Sequence, residues 1–303
     1  MRGVLKELRQ LRLFIGVSLL VTAIVPFSMP ANAVVVAAAG DIVCDPADPN
    51  YSGNNTGTCQ FRQTANLITS LSVAQVFALG DNQYNEGSLA DFQSAYDPTW
   101  GAFKGITRPV PGNAEYVTPN AQGYFNYFGS AAHGPEGYYS FDLGNWHIVA
   151  LNSNCAQVAG GCAAGSPQEV WLKNNLAADT HKCTLAFDHH PRFSSSGSSS
   201  TISALVKDLY NDRAEVLLSG HRHNYERFAP QTPSGAANTN GIVQFVVGTG
   251  GRSLAGFGTI LPGSLARLRA FGVLRLSLQS GGYNWNFRRI SGGSFDSGSA
   301  TCR

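Results

Sequence analysis

Side chains with metal-binding chemistry follow apolar runs at several points along the chain. They are Asp41 in Gly-Asp, Asp81 and Tyr84 in Gly-Asp-Asn-Gln-Tyr, and Asn113 in Pro-Gly-Asn-Ala-Glu-Tyr. His189 in Asp-His-His-Pro and the pair His221 and His223 in Gly-His-Arg-His complete the set. Carboxylate, phenolate, amide oxygen and neutral imidazole suit hard to borderline ions such as iron, zinc or manganese. A carboxylate shared by two ions about 3.5–4 Å apart would build a clamp for the attacking and leaving oxygens of a phosphate ester, and the ions would acidify a bound water. Singly, most of these residues read as turns, as Gly-Asp after a strand often is. His221 and His223 are more specific, because alternate positions leaving a strand can converge on one site. Their joint occurrence after successive strand-like runs argues for one shared site.

The elements that must position them follow from hydrophobic patterning. Val34 to Ala39 is a continuous apolar run ending in Gly40-Asp41, as a buried strand would be. Ala74 to Leu79 repeats the pattern before Gly80-Asp81, and Arg108 to Pro111 leads into Gly112-Asn113. Helices are expected near 61–71, 88–99 and 201–210, and Ser166 with Glu169 forms a capping box opening another. Tyr138 to Leu143 and Trp146 to Leu151 flank Gly144-Asn145 and predict a hairpin. Strands are also expected at 184–187, 214–218, 242–247, 271–278 and 283–289. Residues 231–241 and the C-terminal Gly-Gly-Ser-Phe-Asp-Ser-Gly-Ser-Ala stretch read as loops. Strands alternating with helices early and hairpin strands late indicate an α/β layered fold with mixed sheets. The candidate ligands then fall at the carboxyl ends of strands, where such sheets bind ligands.

The chain opens with Arg2, Lys6, Arg9 and Arg12, an apolar run from Leu13 to Phe27, and Ala31-Asn32-Ala33. This predicts a cleaved secretory leader over 1–33 and one domain over 34–303. The apolar run is shorter than the roughly 20 residues of a spanning helix, so no stable membrane anchor is expected after cleavage. Without residues 1–33 the chain carries 17 Lys+Arg against 18 Asp+Glu, a net charge of −1 in place of +2. That balance lacks the basic footprint of a nucleic-acid binder. All six cysteines follow the leader, and an even count in an exported chain argues for disulfides and a secreted, periplasmic or extracellular setting. Six cysteines permit 15 pairings. Proximity favours Cys44–Cys59 and Cys155–Cys162, which leaves Cys183–Cys302.

In combination these motifs resemble the calcineurin-like metallophosphoesterases, and within them the purple acid phosphatases, over about Ala37 to Pro230. Most of the superfamily has a histidine two residues after the first aspartate, whereas Asp41 is followed by Ile42 and Val43. Tyr84 instead stands at the purple acid phosphatase position. The resemblance implies a four-layer αββα sandwich of two mixed β-sheets flanked by helices, as a short single-domain bacterial-type member. It assigns Asp41, Asp81, Tyr84 and His223 to a first metal, with Asp81 bridging to a second completed by Asn113, His189 and His221. The cofactors implied are two metal ions, Fe(III) held by the phenolate with Fe, Zn or Mn beside it. Hydroxide held by the metals would attack a phosphorylated small-molecule or ester substrate, a monoester or a diester.

One residue departs from the family. Ala114 stands where relatives carry a histidine that can protonate the leaving group, and losing a general acid costs about 10²–10⁴-fold in rate. His190 and Arg222 are the candidate catalytic residues that could act in its place: His190 as a substrate-facing side chain, Arg222 as a positive charge for an anionic substrate. A substrate with a good leaving group would need less help. The competing expectation is a catalytically impaired metal- or phosphate-binding surface protein of the same fold. His133, His147 and His181 lie outside the motifs and read as structural or exposed.

Overall fold

A computed structural model describes residues 33–53 and 55–303. The expected leader lies, all but its last residue, outside the described residues. Among the described residues thirteen strands form two sheets. The first sheet contains β1 (Val34–Ala39), β2 (Gln75–Leu79), β3 (Thr107–Val110), β11 (Gly272–Gln279), β12 (Gly282–Arg289) and β13 (Ser294–Thr301), in the order β13-β12-β11-β1-β2-β3. The second contains β4 (Tyr139–Leu143), β5 (Trp146–Ala150), β6 (Cys183–Phe187), β7 (Val216–Ser219), β8 (Tyr225–Phe228), β9 (Val243–Val247) and β10 (Ser264–Leu268), in the order β10-β8-β9-β7-β6-β5-β4. Both are mixed: β1, β2 and β3 run parallel, as do β5, β6, β7 and β9, while the outer strands pair antiparallel.

The central strands are mostly apolar because both of their faces are covered. Every residue of β5, β6, β7 and β9 is buried. Between the sheets, Phe77 of β2 stacks on Phe187 of β6 at 4.9 Å, and Tyr225 of β8 on Phe287 of β12 at 4.1 Å. Outside the first sheet, α1 (Phe61–Thr69) buries Phe61, Thr64, Ala65 and Ile68, the i, i+3, i+4, i+7 stripe of an amphipathic helix. Outside the second, α4 (Pro167–Ala178) and α5 (Ser203–Asn211) place Leu172, Leu176, Leu205 and Leu209 against Val149, Ala186 and Leu217. Each such leucine stabilises the fold by about 1.5–3 kcal/mol through burial. The architecture is the expected helix–sheet–sheet–helix sandwich.

The three disulfides are Cys44–Cys59, Cys155–Cys162 and Cys183–Cys302. The last staples the start of β6 to the chain end beyond β13, and so joins the two sheets. The Gly144-Asn145 hairpin forms with Leu143 opposite Trp146 and Gly144 at φ 62°, a conformation glycine adopts freely.

Several elements differ from expectation. The C-terminal stretch read as a loop is edge strand β13, whose order comes from backbone pairing with β12 and not from apolar alternation. Strands β8 and β10 and the short helix α3 (Gln122–Phe128) had no distinct sequence signal. The helix expected over 88–99 is one α-turn, α2 (Leu89–Asp91), wound into a wider turn over Phe92–Tyr96. The capping box is half formed. Ser166 Oγ accepts the Glu169 N–H at 3.3 Å, but the Glu169 carboxylate accepts from Gly165 N at 3.0 Å.

Candidate metal centre

Strands β1, β2, β3, β6 and β7 end side by side, and the candidate residues occupy the turns that follow them. Asp41, Asp81 and His221 adopt left-handed backbone, with φ of 59°, 47° and 66°. Such conformations cost about 1–3 kcal/mol each and persist only where surrounding contacts enforce them. Here the turns lock together: Asp41 N donates to Gly80 O at 3.0 Å, Ile42 N to Asp81 O at 2.9 Å, and Tyr84 N to Val43 O at 2.9 Å. Gly80 (φ 80°) packs so tightly that a Cβ there would lie 2.5 Å from His189 Nδ1.

Glu115 is fully buried behind the site and clasps two of its loops. Its carboxylate accepts the N–H groups of Asp81 at 3.0 Å, Asn82 at 2.8 Å, Gln83 at 3.1 Å and Gly112 at 2.6 Å. Burial and the neighbouring Asp81 push its carboxyl up, against the pull of those donors.

The candidate ligands gather in two sets. In the first, the Tyr84 hydroxyl lies 2.9 Å from Asp41 Oδ1, 2.6 Å from Asp81 Oδ2 and 3.2 Å from His223 Nε2. His223 Nε2 is itself 3.0 Å from Asp41 Oδ1, and its Nδ1 is 2.7 Å from Ser253 Oγ. In the second, Asp81 Oδ1 lies 3.3 Å from His189 Nε2, and Asn113 Oδ1 lies 3.2 Å from the same nitrogen. The His221 ring stands 5.0 Å from His189, and its backbone N–H donates to Asp41 Oδ2 at 2.7 Å. All seven expected ligands are therefore drawn to one end of the sandwich, and Asp81 turns one oxygen to each set.

The donor chemistry fits bound cations. His189 Nδ1 lies 2.8 Å from the Leu79 carbonyl, which can only accept, so Nδ1 carries the proton. In the neutral ring Nε2 is then a lone pair facing two oxygens, an arrangement that a cation relieves. Asp41 and Asp81 are both almost completely buried. Burial raises Asp41, but the charge and hydrogen bond of His223, then His189 and His221, outweigh it and hold its carboxyl at about 2. Burial raises Asp81 against the pull of His189. Burial, Asp41 and Asp81 drive the Tyr84 phenol well above its ordinary range. Burial and the neighbouring His189 push the His221 imidazole down to about 3, so it is a neutral donor as metal ligation requires.

The expected non-ligand residues divide. His190 joins His189 and His221 as a third nitrogen, with ligand atoms within 4.8 Å of one another. Burial, then His189 and His221, lower its imidazole to about 2. Arg222 donates from Nε to Gly197 O at 2.8 Å, so the serine-rich loop holds its guanidinium, and its charge helps depress His190 and His221. Ala114 is buried and donates its N–H to Asp81 Oδ1 at 2.7 Å. Sequence reasoning missed the supporting partners. Ser153 Oγ accepts the N–H groups of His189 at 3.2 Å and His190 at 2.8 Å and lies 3.0 Å from His190 Nδ1. Ser253 orients His223, and Glu115 sets the loops. An open cleft of about 520 Å³ adjoins the centre, lined by Asn113, Tyr116, Ser153, Gln157, His190 and Thr201 among others.

The sequence model of the family described as calcineurin-like phosphoesterase matches residues 34–225. Purple acid phosphatase 22 of Arabidopsis thaliana is 30% identical over 169 residues, which cover 50% of this chain and 37% of the relative. Purple acid phosphatase 21 of the same plant is 31% identical over 147 residues, or 46% of this chain and 30% of the relative. The chain thus spans well under half the length of these curated relatives. The structure of purple acid phosphatase PPD1 from yellow lupin (Lupinus luteus) superposes with a TM-score of 0.71 at 21% identity, covering 90% of this chain and 54% of that one. GAP50, described as the anchor in the inner membrane complex of Plasmodium, superposes with a TM-score of 0.64 at 15% identity over 89% of each chain. At those identities the structural likeness speaks for the fold. With the family match spanning most of the sandwich, the chain belongs to the calcineurin-like phosphoesterase family, with purple acid phosphatases among its relatives.

Proposed function

We propose that the chain is an exported phosphoesterase that hydrolyses phosphate monoesters or diesters at a dinuclear metal centre. The observation that carries this reading is Asp81, whose two oxygens face two separate donor sets. Asp41, Tyr84, His223 and Asp81 would hold one ion, and Asp81, Asn113, His189 and His221 the other. The phenolate favours Fe(III) at the first position, with Fe, Zn or Mn at the second. When bound, the ions supply Lewis-acid charge stabilisation and acidify a water.

The chain's own residues supply the rest. Ser153 Oγ uses both lone pairs on backbone N–H groups, so its proton goes to His190 Nδ1. That leaves His190 with its proton on Nε2, on a side chain lining the cleft. Held neutral, His190 acts as a hydrogen-bond donor to a phosphate or leaving-group oxygen and not as an imidazolium acid. Arg222 adds positive charge at the edge of the site. With Ala114 unable to protonate, substrates with good leaving groups are favoured. Residues 1–33 act as the leader and 34–303 as the working domain, and the three disulfides support an oxidising destination.

A catalytically impaired metal- or phosphate-binding protein is the second reading, and the buried methyl of Ala114 is the observation that favours it. Metal-dependent hydrolysis of an aryl phosphate, with Ala114→His alongside, separates the two. The proposal expects turnover in the natural protein. Silence of both proteins with two metals bound would overturn the enzyme reading.

A further inference from the structure

A second set of ligand-type side chains lies away from the centre. Asp142 on β4 and His147 on β5 are a cross-strand pair in the hairpin, and Asp179 and His181 follow α4. His147 is six residues before Ser153, on the order of 20 Å along an extended chain at about 3.3 Å per residue. We propose that Asp142, His147, Asp179 and His181 form a separate mononuclear site for a divalent cation of the zinc class.

Asp142, Asp179, His147 and His181 each offer one ligand atom within 4.8 Å of the others. His147 Nδ1 is 3.0 Å from Asp142 Oδ1 and 3.9 Å from Asp179 Oδ1. His181 Nδ1 is 2.6 Å from Asp179 Oδ1 and 3.8 Å from Asp142 Oδ1. These separations bracket the ~3.4 Å edge of a tetrahedron built on zinc bonds of about 2.0–2.1 Å to nitrogen and oxygen. Two imidazoles and two carboxylates also form a ligand set suited to that ion.

An independent observation fixes the orientation of His147, whose side chain is only 7% exposed. Its Nε2 lies 2.8 Å from Asn175 Oδ1, and Asn175 Nδ2 donates to Ser140 Oγ at 2.8 Å, so the amide buttresses the ring. With the Asn175 oxygen accepting, Nε2 carries the proton, and in the neutral ring Nδ1 is a lone pair aimed at two carboxylate oxygens. Acceptors facing acceptors call for a cation. Asn175 plays the part of the outer hydrogen-bond partner that orients a metal-binding imidazole. Asp212 adds a third carboxylate within electrostatic reach of His147 and Asp179. A bound ion would tie the β4–β5 hairpin to the segment after α4, and it would stabilise the fold because it binds only the folded state.

The competing account is an imidazolium–carboxylate cluster with no ion. The test strips the purified protein with a chelator, dialyses it against Zn²⁺, and counts zinc per chain beside Asp142→Asn and His181→Ala. Asp142 is 61% exposed and His181 27%, so both variants should fold, which circular dichroism checks. The proposal expects each variant to bind one zinc fewer than the natural protein. It also expects a smaller rise in Tm on zinc addition, with unchanged aryl phosphate hydrolysis. Equal zinc counts in all three proteins would overturn it.

Discussion

Glu115 Oε2 accepts the backbone N–H of Asp81 at 3.0 Å, so a buried carboxylate holds from behind the residue that faces both donor sets. The same carboxylate serves three further N–H groups, and these bonds fix the left-handed turn at Asp81. Glu115→Gln replaces one acceptor oxygen with a donor and strands buried N–H groups. Each stranded group should cost about 1–3 kcal/mol. Urea unfolding should show the loss, and metal content should fall with it.

Ser253 reaches the site through His223, whose Nδ1 lies 2.7 Å from its hydroxyl. Removing such an orienting partner costs about 10–100-fold in metal affinity or activity. Ser253→Ala should therefore weaken metal retention against a chelator by that factor, with little change in Tm of the stripped protein.

His190, held at about 2 by burial and its histidine neighbours, stays neutral across the working range of pH. The pH–rate profile should then lack a limb that disappears in His190→Ala. The variant should lose about 10²-fold in kcat, as when one hydrogen-bond donor to developing charge is removed. With no acid to protonate the departing oxygen, aryl phosphates should outpace alkyl phosphates by a wide margin. Comparable rates across a series of leaving groups would show that a proton donor is present after all.

Away from the site, Glu169 on α4 and Asp208 on α5 are close enough for each carboxyl to shift the other. Burial, then Glu169, raises Asp208 from 3.8 to about 6. Folding therefore favours protonated Asp208. Its stabilising contribution is full below the unfolded value of 3.8 and is lost as pH rises through about 6. Glu169 is lowered, chiefly by the Gly165 N–H, and contributes in the opposite sense below its unfolded value of 4.5. Asp208→Asn should flatten the fall in stability between these Asp208 limits and leave the variant the more stable protein at neutral pH. Thermal melts across that range read the difference.

The sequence exposed the ligands because their chemistry is unusual at the ends of apolar runs. Asp41, Asp81, His189 and His221 each follow a strand whose burial on both faces makes it conspicuous. The supporting residues were hidden for a physical reason. Ser153 and Ser253 act through one hydroxyl each, and serine is ordinary in loops. Glu115 acts on backbone N–H groups, which leave no trace in residue type. Edge strand β13 was illegible because its polar and small residues alternate with exposure and not with hydrophobicity. His147 and His181 read as structural from the sequence, since their proximity depends on the turn after α4 bringing Asp179 to the hairpin.

The role of Asp81 is tested most directly by counting metals and measuring aryl phosphate turnover in the natural protein and in Asp81→Asn. A residue that holds two ions together should, when neutralised, cost the protein both ions and its metal-dependent turnover. Full turnover and an unchanged metal count in Asp81→Asn would contradict the proposed dinuclear centre.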